Sequence, residues 1–526
     1  MGKIIQFLYT QGIIISILII AGFLRLYKIS AYMTFLGDEG RDVLVAYNIL
    51  HGHLTFLGPT ASVGGFFLGP IYYYFMAPFL FLFGYDPVGP AVMVALFGVA
   101  TVWLIYKIGS EFFGQFAGLI AAALYTVSPL TIAYARSSWN PNLMPFFSLL
   151  TMCLLYKGIS KKNFFLLFFS GVFYGIAIQL HYLELFLGVA IVIYVLFQKF
   201  LPPGKKIIAS LDIVIDLSKK YLVVFFGFLI GFSPFLAFEI RHNFPNITSI
   251  INFAFHSKDT GGNGNFLFII QDVFFRLFAR LIGNFPPPEQ LSLYNNQLIT
   301  FWHAAILILA LLSVGLLLKQ ITSAYKKNSA LFWQYSLLGF WLFFGIVLFG
   351  FYKRQIYDYY FEFLFPLPFL LFGNLFASLF RKNILLKIIV SGVFIWLVIL
   401  NLQGVPFRYP PNRQKDQAKT IAEFVLSKTD GKPFNFALIT AGNSDHAYRY
   451  FFTVANRPPV TIENTEVDPQ RKYVADQLMV ICEDPNCHPL GVSLWEVAGF
   501  GRADIAGEWN VSVVKVFRLV HYKGPV

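Results

Sequence analysis

The sequence predicts a polytopic α-helical membrane protein of about eleven transmembrane helices that ends in a small soluble α/β unit, and three observations carry that reading. Of the 526 residues 57% are hydrophobic and only 13% charged, with mean hydropathy +0.64; a soluble multidomain enzyme is excluded by that balance. Apolar stretches of about 20 residues, the length that spans a bilayer, recur along the first 403 residues. Charge density then rises abruptly: residues 404–526 hold 14 basic and 13 acidic residues, against 26 and 14 in 1–403, so the net charge of +13 belongs to the membrane part. Such an excess suits positive cytoplasmic loops and anionic lipid contacts. No basic run with interleaved aromatics points to nucleic acid. Three cysteines, Cys153, Cys482 and Cys487, are too few for a disulfide scaffold or a cysteine-built zinc site.

Taken in order, the apolar stretches lie near 4–24, 88–108, 114–133, 142–157, 163–181, 183–198, 221–239, 300–318, 331–350, 361–379 and 384–403. The first has only Lys3 ahead of it and no small-residue cleavage site behind it, so it reads as a retained anchor. A twelfth stretch, Gly65–Gly84, is apolar but interrupted by Gly69, Pro70 and Pro78, and Tyr72, Tyr73 and Tyr74 read as an interfacial aromatic run. If that stretch does not cross, fifteen later cations fall on one side (Lys107, Lys157, Lys161, Lys162, Lys199, Lys205, Lys206, Lys219, Lys220, Lys319, Lys326, Lys327, Arg381, Lys382, Lys387). Seven fall on the other: Arg136, Arg241, Lys258, Arg276, Arg280, Lys353 and Arg354. The positive-inside rule then makes 65–84 a surface-lying or re-entrant element, puts the N-terminus in the cytoplasm and puts the tail outside.

Two domains follow: a membrane domain over 1–403, with outer surface helices in 25–87 and an outer loop at 240–299, and an extracytoplasmic α/β domain over 404–526. In the tail, 415–426 has a helical pattern, whereas 434–440, 477–482 and 511–520 have strand character. Cys482 and Cys487 sit close enough to close a short loop in an oxidising compartment, free thiols being the alternative. No solenoid repeat appears, nor the matched interrupted helices of inverted-repeat transporters.

The most informative polar cluster is Gly37-Asp38-Glu39-Gly40-Arg41-Asp42, just after the first span. Adjacent carboxylates at a membrane interface are costly to desolvate and need a partner or a task. A helix starting at Asp38 sets Asp38, Arg41 and Asp42 on one face; a capping residue with a local salt bridge is the structural alternative.

This cluster, a following helix Val43–Leu50, Gly69-Pro70-Ile71-Tyr72-Tyr73-Tyr74 with Pro78 and Phe83-Gly84, and Ala133-Tyr134-Ala135-Arg136 with Asn140-Pro141 resemble the GT-C membrane glycosyltransferases. Within these, the resemblance is to the protein O-mannosyltransferase and lipid A aminoarabinose transferase group, over roughly residues 1–380. It implies that Asp38 is the catalytic base, that Glu39 supports the site and that Arg41 contacts the donor phosphate. One departure matters: the mannosyltransferases commonly carry His-Pro-Pro where this chain has Leu68-Gly69-Pro70, so protein O-mannosylation does not transfer. The chemistry agrees with such a site. A polyisoprenyl phosphate leaves without a proton from a general acid, so one carboxylate suffices where a glycosidase needs two, and a nearby arginine stabilises the charge growing on the leaving group.

Arg136, Arg241, His242, Lys353 and Arg354 stand near outer helix ends, where a cation forks onto phosphate or snorkels to the interface. Tyr357-Asp358-Tyr359-Tyr360 resembles the group's late outer loop, which implies a tyrosine at the phosphate or sugar; aromatic-belt packing is the alternative. Asn140 and His181 complete the substrate-binding candidates, although His181 with Glu184 reads more simply as a satisfied interfacial pair. Residues 258–265 read as a lid or loop tip, and Asn246-Ile247-Thr248 matches a glycosylation acceptor.

The expected activity is inverting transfer of a sugar from a polyisoprenyl-phosphate donor to a lipid, glycan or protein acceptor at the outer face of a bacterial plasma membrane. A lipid-linked sugar flippase or an envelope assembly protein is the alternative, but a transporter would need ionisable residues at mid-membrane and here charges gather at helix ends. The residues require no cofactor, and no ligand cluster decides for or against a divalent metal.

Overall fold

The computed structural model describes residues 2–200, 211–261, 265–484 and 486–524. Lys205, Lys206, Gly262, Asn263, Gly264 and Pro485, and the side chains of Lys3, Lys199 and Lys326, lie outside the described residues.

A long α1 (Gly2–Leu26) leads through a single turn, α2 (Ile29–Tyr32), into α3 (Gly37–Leu50) and α4 (Ile71–Leu82). The body continues with α5 (Val88–Phe113), α6 (Gln115–Val127), the short α7 (Pro129–Tyr134), α8 (Met144–Ser160), α9 (Phe164–Leu180), α10 (Leu185–Phe200), α11 (Leu211–Gly231) and α12 (Ser233–Arg241). Then come α13 (Pro245–His256), α14 (Phe266–Ile282), α15 (Asn296–Lys327), α16 (Ser329–Val347), α17 (Pro366–Phe380) and α18 (Ile384–Gln403). All eleven apolar stretches are therefore helical. Five helical spans among the described residues are long and apolar enough to cross a membrane, or seven if two bent pairs each count once: α11 with α12, at 77°, and 358–364 with α17, at 57°. Proline explains the breaks at Pro129, Pro234 and Pro366, where the ring removes a donor and clashes with the preceding turn.

The stretch 65–84 forms only twelve helical residues around Pro78. It packs against α3 and α5, and the expected interfacial tyrosines are a correction: Tyr72 and Tyr73 are buried, Tyr72 pairing with Ser138, and Tyr74 donates to the Thr55 carbonyl. Arg25, also buried, donates to the carbonyls of Tyr125 and Thr126 and to Thr131, tying α1 to the α6–α7 break.

Beyond α18 the chain builds α19 (Gln414–Ser427), β1 (Asn435–Ile439), α20 (His446–Val454), β2 (Gln477–Cys482), α21 (Trp495–Phe500), β3 (Ala503–Val511) and β4 (Val514–His521). The four-stranded sheet runs β1-β2-β4-β3, with β1 parallel to β2 and the other pairs antiparallel. β1, β2 and α19 lie where periodicity puts them. The apolar run 511–520 is instead the β3–β4 turn plus β4. β3 itself carries no apolar signal because most of its residues face out. Cys482 and Cys487 are joined in a disulfide at the end of β2.

Candidate active site

Helix α3 begins one residue before Asp38, so Asp38 and Glu39 occupy its first turn, where the helix dipole favours negative charge. Leu36 has no side-chain acceptor to cap that turn. Glu39 instead reaches back, its Oε2 accepting the Leu36 N–H at 3.0 Å. The capping alternative for Asp38 is thereby corrected. Asp38 is left 57% exposed, its Oδ1 receiving Arg41 Nη1 at 2.8 Å. The same guanidinium holds the fully buried Asp42 through Nε at 2.9 Å and Nη2 at 2.7 Å, so the expected one-face cluster forms around Arg41. Burial pushes the Asp42 carboxyl up to about 6, against the pull of Arg41, and pushes Glu39 up to about 7, partly offset by the Leu36 N–H bond.

The tail completes this site. Gly37 N–H donates to Asn443 Oδ1 at 2.9 Å, and Asn443 Nδ2 donates to Glu483 Oε1 at 2.9 Å. Glu483 also accepts from Thr440 and Tyr448. Helix α20 lies so close to α3 that a methyl group on Gly40 would sit 2.5 Å from Ala447 Cα. His446, held by Ser444 at 2.8 Å, faces the same cluster: burial depresses its imidazole, Asp445 and Asp38 oppose that, and Arg41 and Arg449 add to it. Between α3, the α7–α8 connection and the tail opens a cavity of about 970 Å³ whose lining includes Asp38, Glu39, Trp139, Gln417 and Glu483. Asn443, Glu483, Gln417 and His446 escaped sequence reasoning because some 400 residues separate them from Asp38 and no local spacing marks them.

The other candidates divide. Tyr357, Tyr359, Tyr360 and His181 form one aromatic cluster, joined to the cavity through Tyr359 against Trp139, centroids 4.5 Å apart. Asn140 is buried and donates to the Leu180 carbonyl at the root of that cluster. His181 is buried and accepts the Leu183 N–H. Its satisfied pairing with Glu184 does not form: both Glu184 carboxyl oxygens are buried without a hydrogen-bond partner among the described residues. Arg136 is a second correction. Its guanidinium is buried and donates to the carbonyls of Leu24, Arg25 and Tyr27, clamping the end of α1 and not a phosphate.

Arg241 and His242 are exposed at the end of α12, His242 against the Phe238 carbonyl and ring, and neither lines the cavity. Lys353 and Arg354 are exposed, and Arg354 Nε pairs with Asp259 at 2.8 Å, holding the 258–261 loop. Asn246 is unsuited to glycosylation, being buried and bound to Glu239 and to the Phe67 N–H. Among the described residues no three His, Cys, Asp or Glu side chains gather as a metal site.

The fold that carries this site, a helical membrane body capped by a small sheet domain, is shared with solved structures of low sequence identity. Residues 68–238 match the family model described as dolichyl-phosphate-mannose-protein mannosyltransferase. Over 96% of this chain and 97% of the other, the structure is similar to ArnT from Cupriavidus metallidurans bound to undecaprenyl phosphate, at 12% identity and TM-score 0.59. It is also similar to the oligosaccharyltransferase AglB from Archaeoglobus fulgidus in complex with an inhibitory peptide and a dolichol-phosphate: 13% identity, TM-score 0.51, 90% of this chain and 69% of that one. No curated protein matches the sequence significantly.

Proposed function

We propose that the chain is an inverting glycosyltransferase that moves a sugar from a polyisoprenyl-phosphate donor to an acceptor hydroxyl at the outer face of a bacterial plasma membrane. The observation that carries this reading is Asp38, exposed at a large cavity and paired with Arg41 within a GT-C fold. In the reaction the Asp38 carboxylate takes the acceptor's hydroxyl proton and the acceptor oxygen bonds to the anomeric carbon. The bond from that carbon to the phosphate oxygen breaks with inversion, and its electron pair leaves on the polyisoprenyl phosphate. Arg41, with three of its five N–H groups engaged, keeps donors for the leaving phosphate, and Tyr357 and Tyr360 lie on the loop that would face the sugar. An enzyme with a hydrocarbon-tailed donor needs a membrane body. In this reading the eleven helical stretches cross with the N-terminus inside and 404–526 outside, as the charge asymmetry supports.

The test is transfer of label from radiolabelled polyisoprenyl-phosphate sugars by purified wild type and Asp38→Asn. Loss of a general base should lower the rate by roughly two to four orders of magnitude with donor binding and melting temperature retained. Transfer by Asp38→Asn at the wild-type rate would reduce Asp38 to a partner of Arg41 and sink the mechanism.

A further inference from the structure

We infer that the cavity between α3 and the tail takes a neutral, hydroxyl-rich glycan as the acceptor; this rests on the transferase reading above and specifies its substrate class. Charge is the first argument. Among the described residues lining the cavity there is no lysine, arginine or histidine, whereas Asp38, Glu39 and Glu483 contribute carboxyl groups. Arg41 is not in the lining and is already held by Asp38 and Asp42. Phosphate recognition uses forked arginines or lysines; in the reading above the remaining Arg41 donors serve the donor's leaving phosphate, so a second phosphate on the acceptor would meet the Asp38 and Glu483 carboxylates with no further cation in the lining.

The polar groups that remain suit hydroxyls. Asn142 donates through Nδ2 to the carbonyls of Tyr134 and Ser137, which fixes its buried Oδ1 as an acceptor with no partner among the described residues. Gln417, half-buried on α19, makes no side-chain hydrogen bond among the described residues and presents both a donor and an acceptor. Beside them lies Trp139, and an indole face packs well on the C–H face of a sugar ring. At about 970 Å³ the space is at the upper end of the ligand-pocket range, which fits an oligosaccharide. One general way to recognise an extended peptide is to join it to a free strand edge. The tail offers the cavity helix faces, loops and β4, which is paired on both sides by β2 and β3.

The experiment uses the full chain in phospholipid vesicles with radiolabelled undecaprenyl-phosphate hexoses and pentoses. Three acceptors are offered separately: neutral oligosaccharides, a phosphorylated glycolipid, and a serine/threonine-rich peptide. Label is expected on the neutral oligosaccharides, and Gln417→Ala should raise the KM for them at least fivefold while leaving kcat and the donor KM unchanged. Label on the phosphorylated glycolipid or the peptide and not on the oligosaccharides would overturn the inference while leaving the transferase reading standing, as would an unchanged oligosaccharide KM in Gln417→Ala. Absence of both transfer and donor hydrolysis with every donor would overturn the transferase reading and this inference with it.

Discussion

Replacing Gly40 by alanine tests whether the tail positions the Asp38 helix or merely rests on it. A β-carbon at Gly40 would lie 2.5 Å from Ala447 Cα and 2.6 Å from the His446 carbonyl carbon, about 1 Å short of ordinary carbon contact. Both neighbours are backbone of α20, so no rotamer relieves the clash and the two helices must part by about that distance. Overpacking costs about 1–3 kcal/mol, while alanine returns about 1 kcal/mol of helix propensity over glycine, so stability should fall by no more than about 2 kcal/mol. Activity is more sensitive, because a 1 Å misplacement of reacting groups can cost on the order of 10²-fold. Thermal melting in detergent and label transfer should therefore separate: a small shift in melting temperature with a rate loss near a hundredfold. Gly392→Ala is the control, its β-carbon meeting nothing within 4 Å. Wild-type transfer by Gly40→Ala would refute the idea that α3–α20 packing sets the site.

Glu39→Gln should flatten the pH dependence of stability. Burial lifts the folded carboxyl to about 7 from 4.5, so folding favours its neutral form: the group costs nothing below about pH 4.5, and stability falls as pH rises towards 7, by about 3 kcal/mol in all. Asp42, lifted to about 6, adds a decline of its own that ends near that pH, so between pH 6 and 8 melting curves of the wild type should fall further than those of Glu39→Gln, and parallel declines would refute the assignment. Arg41→Lys should lower transfer at least tenfold, since an ammonium cannot bridge Asp38 and Asp42 while forking onto phosphate; unchanged kinetics would remove Arg41 from the reaction. Glu423→Cys, on the exposed face of α19, should react with an impermeant maleimide on intact cells, and labelling only after lysis would invert the proposed topology.

The helical membrane body was legible in the sequence because hydropathy over about 20 residues is a local property, and every such stretch is a helix here. The tail's β1 and β2 were legible as short apolar runs, buried on both faces, and α19 by its helical periodicity. β3 was not, because an exposed hairpin strand draws its stability from pairing with β4 and needs no apolar pattern. Within the site, the Asp38-Arg41-Asp42 cluster could be read because i, i+3 and i+4 neighbours meet on any helix. The fates of the other candidates were set by tertiary structure. Arg136 turns inward to the carbonyls at the end of α1, more than a hundred positions away, and both Glu184 oxygens are buried without a hydrogen-bond partner among the described residues. The cavity wall built by Asn443, Glu483 and Gln417 exists only because the tail folds back across the chain to meet Gly37, a contact between residues 406 positions apart. Sequence spacing holds no information about such an encounter; two glycines make room for it, Gly37 beneath Ser444 and Gly40 beneath α20.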